Sequence, residues 1–517
     1  MPDSILTWNA VALEANRVSH TEADKGEQTG PPLSSRALAI VHLAMYDAYA
    51  GVRGNPPELP AYLPGLPPAP AGASPQAAVA AAAHTALSDL YKKQTASFDV
   101  ALAQHGNPGD PGHAYGVAVA QALLAERTGD PGAEDTGYEA SLERFRHRPD
   151  PDNPGQRFHA PFYGARSKGF AITTRHELDA PPRGDGDYLR ALRQVHAKGI
   201  RPDLIGTLPE SLRDDRRTQD ETIIGHYWAY DGAIGLGTPP RLYNQIITRV
   251  AVAKGNTEDQ NARLFALVNA AMADAGILCW DQKYIHDLWR PVVGIREHDT
   301  SFGPAAPDAD NDISDDADPY WLPLGAPKSN ILNKRFFPSP PSDPPTNRSV
   351  AAAEDEASAA AAEAKEDPRQ RCETCLTLNK NFTPNFPAYP SGHATFGAAA
   401  FHIARLFYGV KPGNRKSDDL FDGLDFVSDE LNGETQDNLG TVRPKHRREF
   451  GDGLWQMLIE NARSRIYLGV HWVFDAFKAK GNGEPNLSRM VGGVPLGLKI
   501  AEDIYSSGMK KSPVGPR

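Results

Sequence analysis

Residues 34–52, SSRALAIVHLAMYDAYAGV, place Leu38, Val41, Ala44, Met45 and Ala48 three or four apart. That spacing gathers apolar side chains on one face of a helix, whereas a half-buried strand needs alternation by two. The same period returns along most of the chain. It runs from Leu6 to about Val52, with Ser34 or Ser35 as the expected N-cap of its second half. It is strong in QAAVAAAAHTALSDLY, residues 76–91, and recurs near 95–104, 112–126, 186–198, 209–228, 240–253 and 258–277. Two further helices are expected after Pro390 and Glu449. Convincing strand alternations are few, so the expected fold is all-α, with long irregular loops between the helices.

A chain of 517 residues exceeds one ordinary core. Two or three bundles or domains are therefore expected. Its 46 glycines and 45 prolines require long irregular connections. One is the Gly-, Pro- and Asp-rich stretch from about 128 to 160. Another is a mobile excursion at about 299–380, with DADNDISDDAD, FPSPPSDPP and an Ala/Glu run. The Asp run lacks the glycine and glutamate of a calcium loop, so a solvated acidic loop is expected. Cys372 and Cys375 form a lone CxxC without a second pair, which fits a local disulfide or two thiols better than zinc.

A net charge of −11 argues against non-specific binding to nucleic acid or acidic membranes. The first twenty residues lack a basic region followed by an apolar one, so no signal peptide is visible. No window reads as a membrane span. A soluble protein is expected, cytoplasmic or exported by an unrecognised route.

Three segments concentrate groups able to hold an oxyanion. In CWDQKYIHDLWRPV, Lys283 and Arg290 are two helical turns apart and are expected on one face, about 10 Å apart along the axis. In FPAYPSGHATFG, Pro390 stops the incoming chain and Ser391 caps an apolar helix. The helix start presents backbone N–H groups, a hydroxyl, Gly392 and His393, which together favour an anion. In SRIYLGVHWVFD, Arg465 ends one helix and His471 begins the next after a break at Gly469. Asp475, four residues on, can fix the His471 tautomer. Each segment alone also has a plain reading: a solvated cationic face, a capped core helix, an arginine neutralising a helix end.

Together, Lys-x6-Arg-Pro, Pro-Ser-Gly-His and Ser-Arg-x5-His-x3-Asp resemble the shared signature of the vanadium-dependent haloperoxidases and of the acid and lipid phosphatases that use the same site. The N-terminal WNAVALEANRVSHTEADKGEQTGPPLSSRALAIVHLAMYDAYAGV, YWAYDGAIGLGTPPRLYNQI, and the closing GGVPLGLKIAEDIY look like the chloroperoxidase branch. The resemblance is loose over 54–200 and fails in the 299–380 excursion.

The resemblance implies two α-helical bundles, an N-terminal one over 1–205 and a C-terminal one over 206–517 that carries the metal site, and one vanadate per chain. It implies that His471 binds vanadium through Nε2. Lys283, Arg290 and Arg465 neutralise the oxyanion, and Ser391 and the Gly392 N–H hydrogen-bond to it. His393 is the acid–base group, and Asp231 pairs with Arg465. Trp280 and Phe386 line the halide side. Algal bromoperoxidases resemble this pattern with a histidine at position 386, so Phe386 leans towards chloride oxidation. The implied activity is oxidation of chloride or bromide by hydrogen peroxide to hypohalous acid, which halogenates small organic acceptors. The competing expectation is an acid phosphatase working through a phospho-histidine at His471. A homo-oligomer is compatible with the sequence.

Overall fold

A computed structural model describes residues 3–230, 235–304, 314–325, 383–435 and 442–517. The N-terminal part contributes α1 (Ser4–Thr21), α2 (Pro31–Val52), α3 (Pro75–Leu90), α4 (Thr95–His105), α5 (Pro111–Glu126), α6 (Tyr163–Arg166) and α7 (Gly186–Gly199). There follow α8 (Gln219–Tyr227), α9 (Pro239–Ala253), α10 (Glu258–His286), α11 (Pro291–Arg296), α12 (Gly392–Phe407), α13 (Gly453–Tyr467), α14 (Val473–Ala476) and α15 (Gly493–Ser507). Among the described residues, strands are confined to two short antiparallel ribbons: Asp425–Val427 with Arg447–Glu449, and Lys478–Ala479 with Pro485–Asn486. The all-α expectation holds.

Several boundaries differ from the sequence reading for local reasons. Helix α2 starts at Pro31, because Pro31 and Pro32 are pre-set for a first turn that needs no N–H donor. Ser34 and Ser35 are therefore not caps. They are buried inside α2, donating to the carbonyls of Gln28 and Pro32 at 3.0 and 2.9 Å. The segment 209–228 divides into a 3-10 turn (Glu210–Asp215) and α8, because Thr218 and Glu221 form a capping box. Helix α10 continues to His286 rather than 277, and α15 carries the closing apolar stretch.

Helix α2 packs on α3 and α10, α3 on α5, and α12 on α10, α13 and α15. One main apolar core runs from Ile5 in α1 to Met509 beyond α15. In α12 every residue from Gly392 to Leu406 is buried. Such a helix shows no polar stripe, because neighbours cover it on all sides. Helix α10 is likewise long and apolar enough to cross a membrane by length and composition, which the sequence reading did not find. Its apolar window is 94% buried inside the protein, so it is a core helix.

The loop from about 128 to 160 is irregular, as expected, yet it is firmly docked. Arg146 pairs with Leu288 in an antiparallel bridge. The His147 N–H donates to Asp287 O at 3.0 Å, and the Trp289 N–H to Phe145 O at 3.2 Å. The opposite edge of the 287–289 segment receives Ala388 N–H on Leu288 O at 2.9 Å. Three distant segments thus share one backbone ladder beside the C-terminal end of α10. The described end of the acidic run is paired, not merely solvated: Asp316 binds Arg193 through both carboxylate oxygens at 2.6 and 2.9 Å. Cys372, Cys375 and most of the 299–380 excursion lie outside the described residues.

Candidate active site

Helix α10 ends at His286, where Asp287 adopts a left-handed backbone with φ 47°. Lys283 therefore sits in the last turn of α10, while Arg290 is the N-cap of α11. The expectation that both lie on one helix face is overturned. A residue before proline resists the α conformation, so the chain must leave the helix before Arg290. The two cations still converge, because the 386–390 segment passes both. Lys283 Nζ donates to the carbonyls of Pro387, Ala388 and Pro390 at 2.8, 3.1 and 2.5 Å. Arg290 Nε donates to Phe386 O at 2.9 Å, and its Nη1 to Val470 O at 2.7 Å.

Ser391 is the N-cap of α12, as expected. It is fully buried, and its Oγ accepts the Ala394 N–H at 3.4 Å. Acceptance uses a lone pair, so the hydroxyl proton can still donate. Gly392 and His393 open the helix and line the pocket. His393 Nε2 donates to Ala229 O at 2.7 Å. A neutral imidazole carrying its proton there has Nδ1 as its basic nitrogen.

Helix α13 ends with Arg465 in its last turn, and Gly469 follows at φ +74°. A Cβ at Gly469 would lie 2.6 Å from Gly199 O, so this reversal needs glycine on both conformational and steric grounds. His471 lies in the junction just before α14. Its Nδ1 bonds Asp475 Oδ2 at 2.8 Å, and the same carboxylate oxygen accepts the Trp472 N–H at 2.9 Å. With the proton on Nδ1, Nε2 presents a lone pair, and Arg290 Nη1 approaches it at 3.1 Å. Burial, joined by the charges of Arg290, Lys283 and Arg465, holds this imidazole well below its ordinary pKa. It is neutral, which is the form that ligates a metal.

Lys283, Arg290 and Arg465 are at most 1% exposed. Burial and the neighbouring guanidinium charges push the Lys283 ammonium down to about 7. Three buried cations beside one imidazole lone pair fit a small, multiply charged oxyanion. Such an anion offsets their repulsion and supplies acceptors for charge-assisted hydrogen bonds.

The pocket has a second, apolar wall. Trp280, Phe386 and Phe396 line it with Pro31, Pro239 and Pro384. The Trp280 and Phe386 rings lie 4.8 Å apart. Lys283 Nζ and the Arg290 guanidinium carbon lie 5.1 and 4.9 Å from the Phe386 ring centre. Phe386 is thus the hinge between the aromatic wall and the cationic cage, not a remote packing residue.

Among the described residues the structure brings together Trp280, Lys283, Arg290, Phe386, Ser391, Gly392, His393, Arg465 and His471, as the sequence reading expected. Asp231 lies outside the described residues. Sequence reasoning did not single out the three wall prolines, nor Asn461 and Tyr243. Asn461 Nδ2 donates to the His393 carbonyl at 2.8 Å, and Tyr243 OH bonds Asn461 Oδ1 at 3.1 Å. It also missed His159, although RFHAPFYG stands out as aromatic-rich in a glycine- and proline-rich loop.

Two family models match the chain. The vanadium chloroperoxidase N-terminal domain covers residues 2–169, and the VCPO second helical-bundle domain covers 263–358 and 346–486. A vanadium chloroperoxidase from Curvularia inaequalis is 34% identical over 621 aligned positions, covering 98% of this chain and 90% of the relative. In fold, the chain is similar to a bacterial vanadium-dependent iodoperoxidase, with TM-score 0.54, 17% identity and 96% of each chain covered. It is similar as well to a bacterial vanadium-dependent chloroperoxidase in its holo form, with TM-score 0.57, 13% identity and 95% of each chain covered.

Proposed function

The chain belongs to the vanadium chloroperoxidase family, and from that premise we propose how its residues divide the work of a vanadate-dependent haloperoxidase. The enzyme oxidises halide with hydrogen peroxide to hypohalous acid, which halogenates organic acceptors. Bound vanadate, one per chain, supplies a Lewis-acidic centre that activates hydrogen peroxide towards halide without changing oxidation state.

His471 Nε2 is the metal ligand, and Asp475 holds its tautomer and ring orientation. Arg290 and Arg465 carry the compensating charge. Lys283 adds a third cation whose N–H groups exchange a carbonyl partner for an oxyanion oxygen. Ser391 and the Gly392 N–H act at the start of α12, where the helix dipole favours negative charge. His393 holds or moves the proton at Nδ1, because Nε2 is committed to the Ala229 carbonyl.

The aromatic wall excludes water on the side from which halide arrives, which strengthens the local field. Phe386 tunes the enzyme towards chloride. The protein is soluble, with α10 serving as core. A phosphatase using a phospho-His471 is not favoured, since the family match is to haloperoxidases.

The single observation carrying these roles is the orientation of His471. Its Nδ1 is held 2.8 Å from Asp475, with Nε2 turned to the buried cations. The test uses purified protein with vanadate, peroxide and chloride or bromide, read by bleaching of monochlorodimedone. A parallel reaction uses p-nitrophenyl phosphate without vanadate. Halogenation is expected. Silence there, with or without phosphate release, would overturn the assignment.

A further inference from the structure

We infer that Glu430 is a positioning residue for the proton-transfer step: its carboxylate holds the Ala229–Tyr230 peptide, whose carbonyl in turn holds the His393 imidazole. The inference rests on the haloperoxidase reading, in which His393 is the acid–base group, and assigns what steadies that group from behind.

His393 Nε2 lies 2.7 Å from Ala229 O. A carbonyl oxygen only accepts, so Nε2 carries the proton of this bond whether the ring is neutral or charged. The Tyr230 N–H donates to Glu430 Oε1 at 3.2 Å. Both bonds belong to one peptide unit. That peptide is trans, so its C=O and N–H point in opposite directions. Imidazole, peptide and carboxylate therefore form one chain of hydrogen bonds, in which Glu430 is 3% exposed and Ala229 fully buried. Bonds in such a chain polarise one another, so a carboxylate on the N–H makes the carbonyl at the other end a better acceptor.

The surroundings are built to hold that peptide. Tyr230 is left-handed at φ 37°, a conformation that is costly for a bulky side chain and persists only where neighbours enforce it. One short segment does so. Ser428 caps a 3-10 turn, Asp429–Leu431. Its Oγ donates to Tyr227 O at 2.7 Å and accepts the Glu430 N–H at 3.3 Å. The Asp429 N–H donates to the Tyr230 hydroxyl at 3.0 Å, which itself donates to Gln245 Oε1 at 3.2 Å. The Asp429 carboxylate binds Arg241 at 2.6 Å, whereas that of Glu430 is turned to the peptide.

The two histidines of the site are thus held differently. His471 touches its carboxylate directly, at 2.8 Å from Asp475. A carboxylate in direct contact can compete for a ring proton, but a carbonyl cannot. Holding His393 through a peptide fixes the ring and leaves Nδ1 as the nitrogen that exchanges protons.

The test is a double-mutant cycle on vanadate-loaded enzyme with bromide as substrate. Glu430→Met removes the acceptor at similar volume. It should lower kcat about tenfold, the size of one hydrogen bond, with the KM for bromide and the vanadate affinity within about twofold. Glu430→Gln keeps an acceptor oxygen and should recover most of the loss. In a His393→Ala background, Glu430→Met should change the residual rate by less than about twofold, because the two residues act as one unit. A merely structural Glu430 would lower the rate equally in both backgrounds. If Glu430→Met does not fold, Ser428→Ala loosens the same turn and should lower kcat about threefold with His393 present and not without it. An unchanged kcat overturns the inference, as does a loss that persists without His393 or that vanadate affinity follows in step. Wild-type protein that does not halogenate, or His393→Ala at the wild-type rate, overturns the underlying reading instead.

Discussion

The two walls of this pocket are built on different principles. The cationic wall is assembled from helix ends: the last turn of α10, the first of α12, and the junction between α13 and α14. Its groups are held by charge-assisted or carbonyl hydrogen bonds, as with Lys283 on three carbonyls and His471 on Asp475. The aromatic wall takes Trp280 from within α10 and Phe396 from within α12, and is braced from outside by the backbone of a loop more than a hundred residues upstream, whose His159 carbonyl accepts the Trp280 indole N–H. Ion and metal chemistry tolerates little displacement, so the first wall comes from rigid helix termini with directed bonds. Halide contact demands only a dry, shaped surface, so a docked loop suffices. The shared element is Phe386, which touches the cations on one side and Trp280 on the other.

The largest effect should come from the cationic wall. His471→Ala removes the ligand, and metal analysis of the dialysed protein should find no stoichiometric vanadium. A variant still holding one vanadium per chain breaks the ligand assignment. Asp475→Ala leaves the ligand but releases its orientation. Vanadate affinity, titrated into metal-free protein, should fall about 10–100-fold, the range seen when the partner of a ligating histidine is lost. An unchanged affinity would mean that His471 is oriented by packing alone.

On the shared element, Phe386→His should leave vanadate retention intact and raise the bromide-to-chloride ratio of kcat/KM about tenfold, or about 1.4 kcal/mol. Equal relative rates would leave Phe386 as a packing residue. In the loop, Tyr138→Phe deletes a 2.7 Å bond to Asp287 at the left-handed end of α10. It should lower stability by about 1 kcal/mol, read from the urea midpoint. A loss of vanadate comparable to that of Asp475→Ala would show that the two walls are not independent.

The smallest effect concerns His147, buried with no hydrogen bond to either ring nitrogen among the described residues. Burial, then the charges of Arg290, Lys283 and Arg148, holds it well below the ordinary histidine pKa of 6.5. The unfolded chain therefore binds a proton that the fold refuses. The associated stability is complete above pH 6.5 and declines as pH falls below it. His147→Leu should flatten that acid limb in melting curves measured from pH 7 to 5. A limb of unchanged slope would assign the acid sensitivity to other groups.

The cationic wall was largely legible in advance, because local chemistry marks it. Pro390 before Ser391 announces a helix start, and the four-residue step from His471 to Asp475 allows their hydrogen bond. The Lys283–Arg290 pair shows the limit. Spacing suggested one helix face, but Pro291 and the left-handed Asp287 ended the helix between them, and convergence came from the 386–390 segment instead. His159 shows a deeper limit. Nothing in its neighbours states that it will face Trp280 and Asn385, because both partners are more than a hundred residues away.

The order of helices, the starts and stops that create anion-binding ends, and the identity of the charged groups were set by the sequence alone, since these depend on residues within a few positions of one another. Which loop covers the pocket, how the 286–291 break brings Arg290 back to Lys283, and what borders Phe386 were decided only by the tertiary structure. Those outcomes depend on packing between distant segments, where backbone hydrogen bonds and excluded volume, rather than local preference, choose the neighbours.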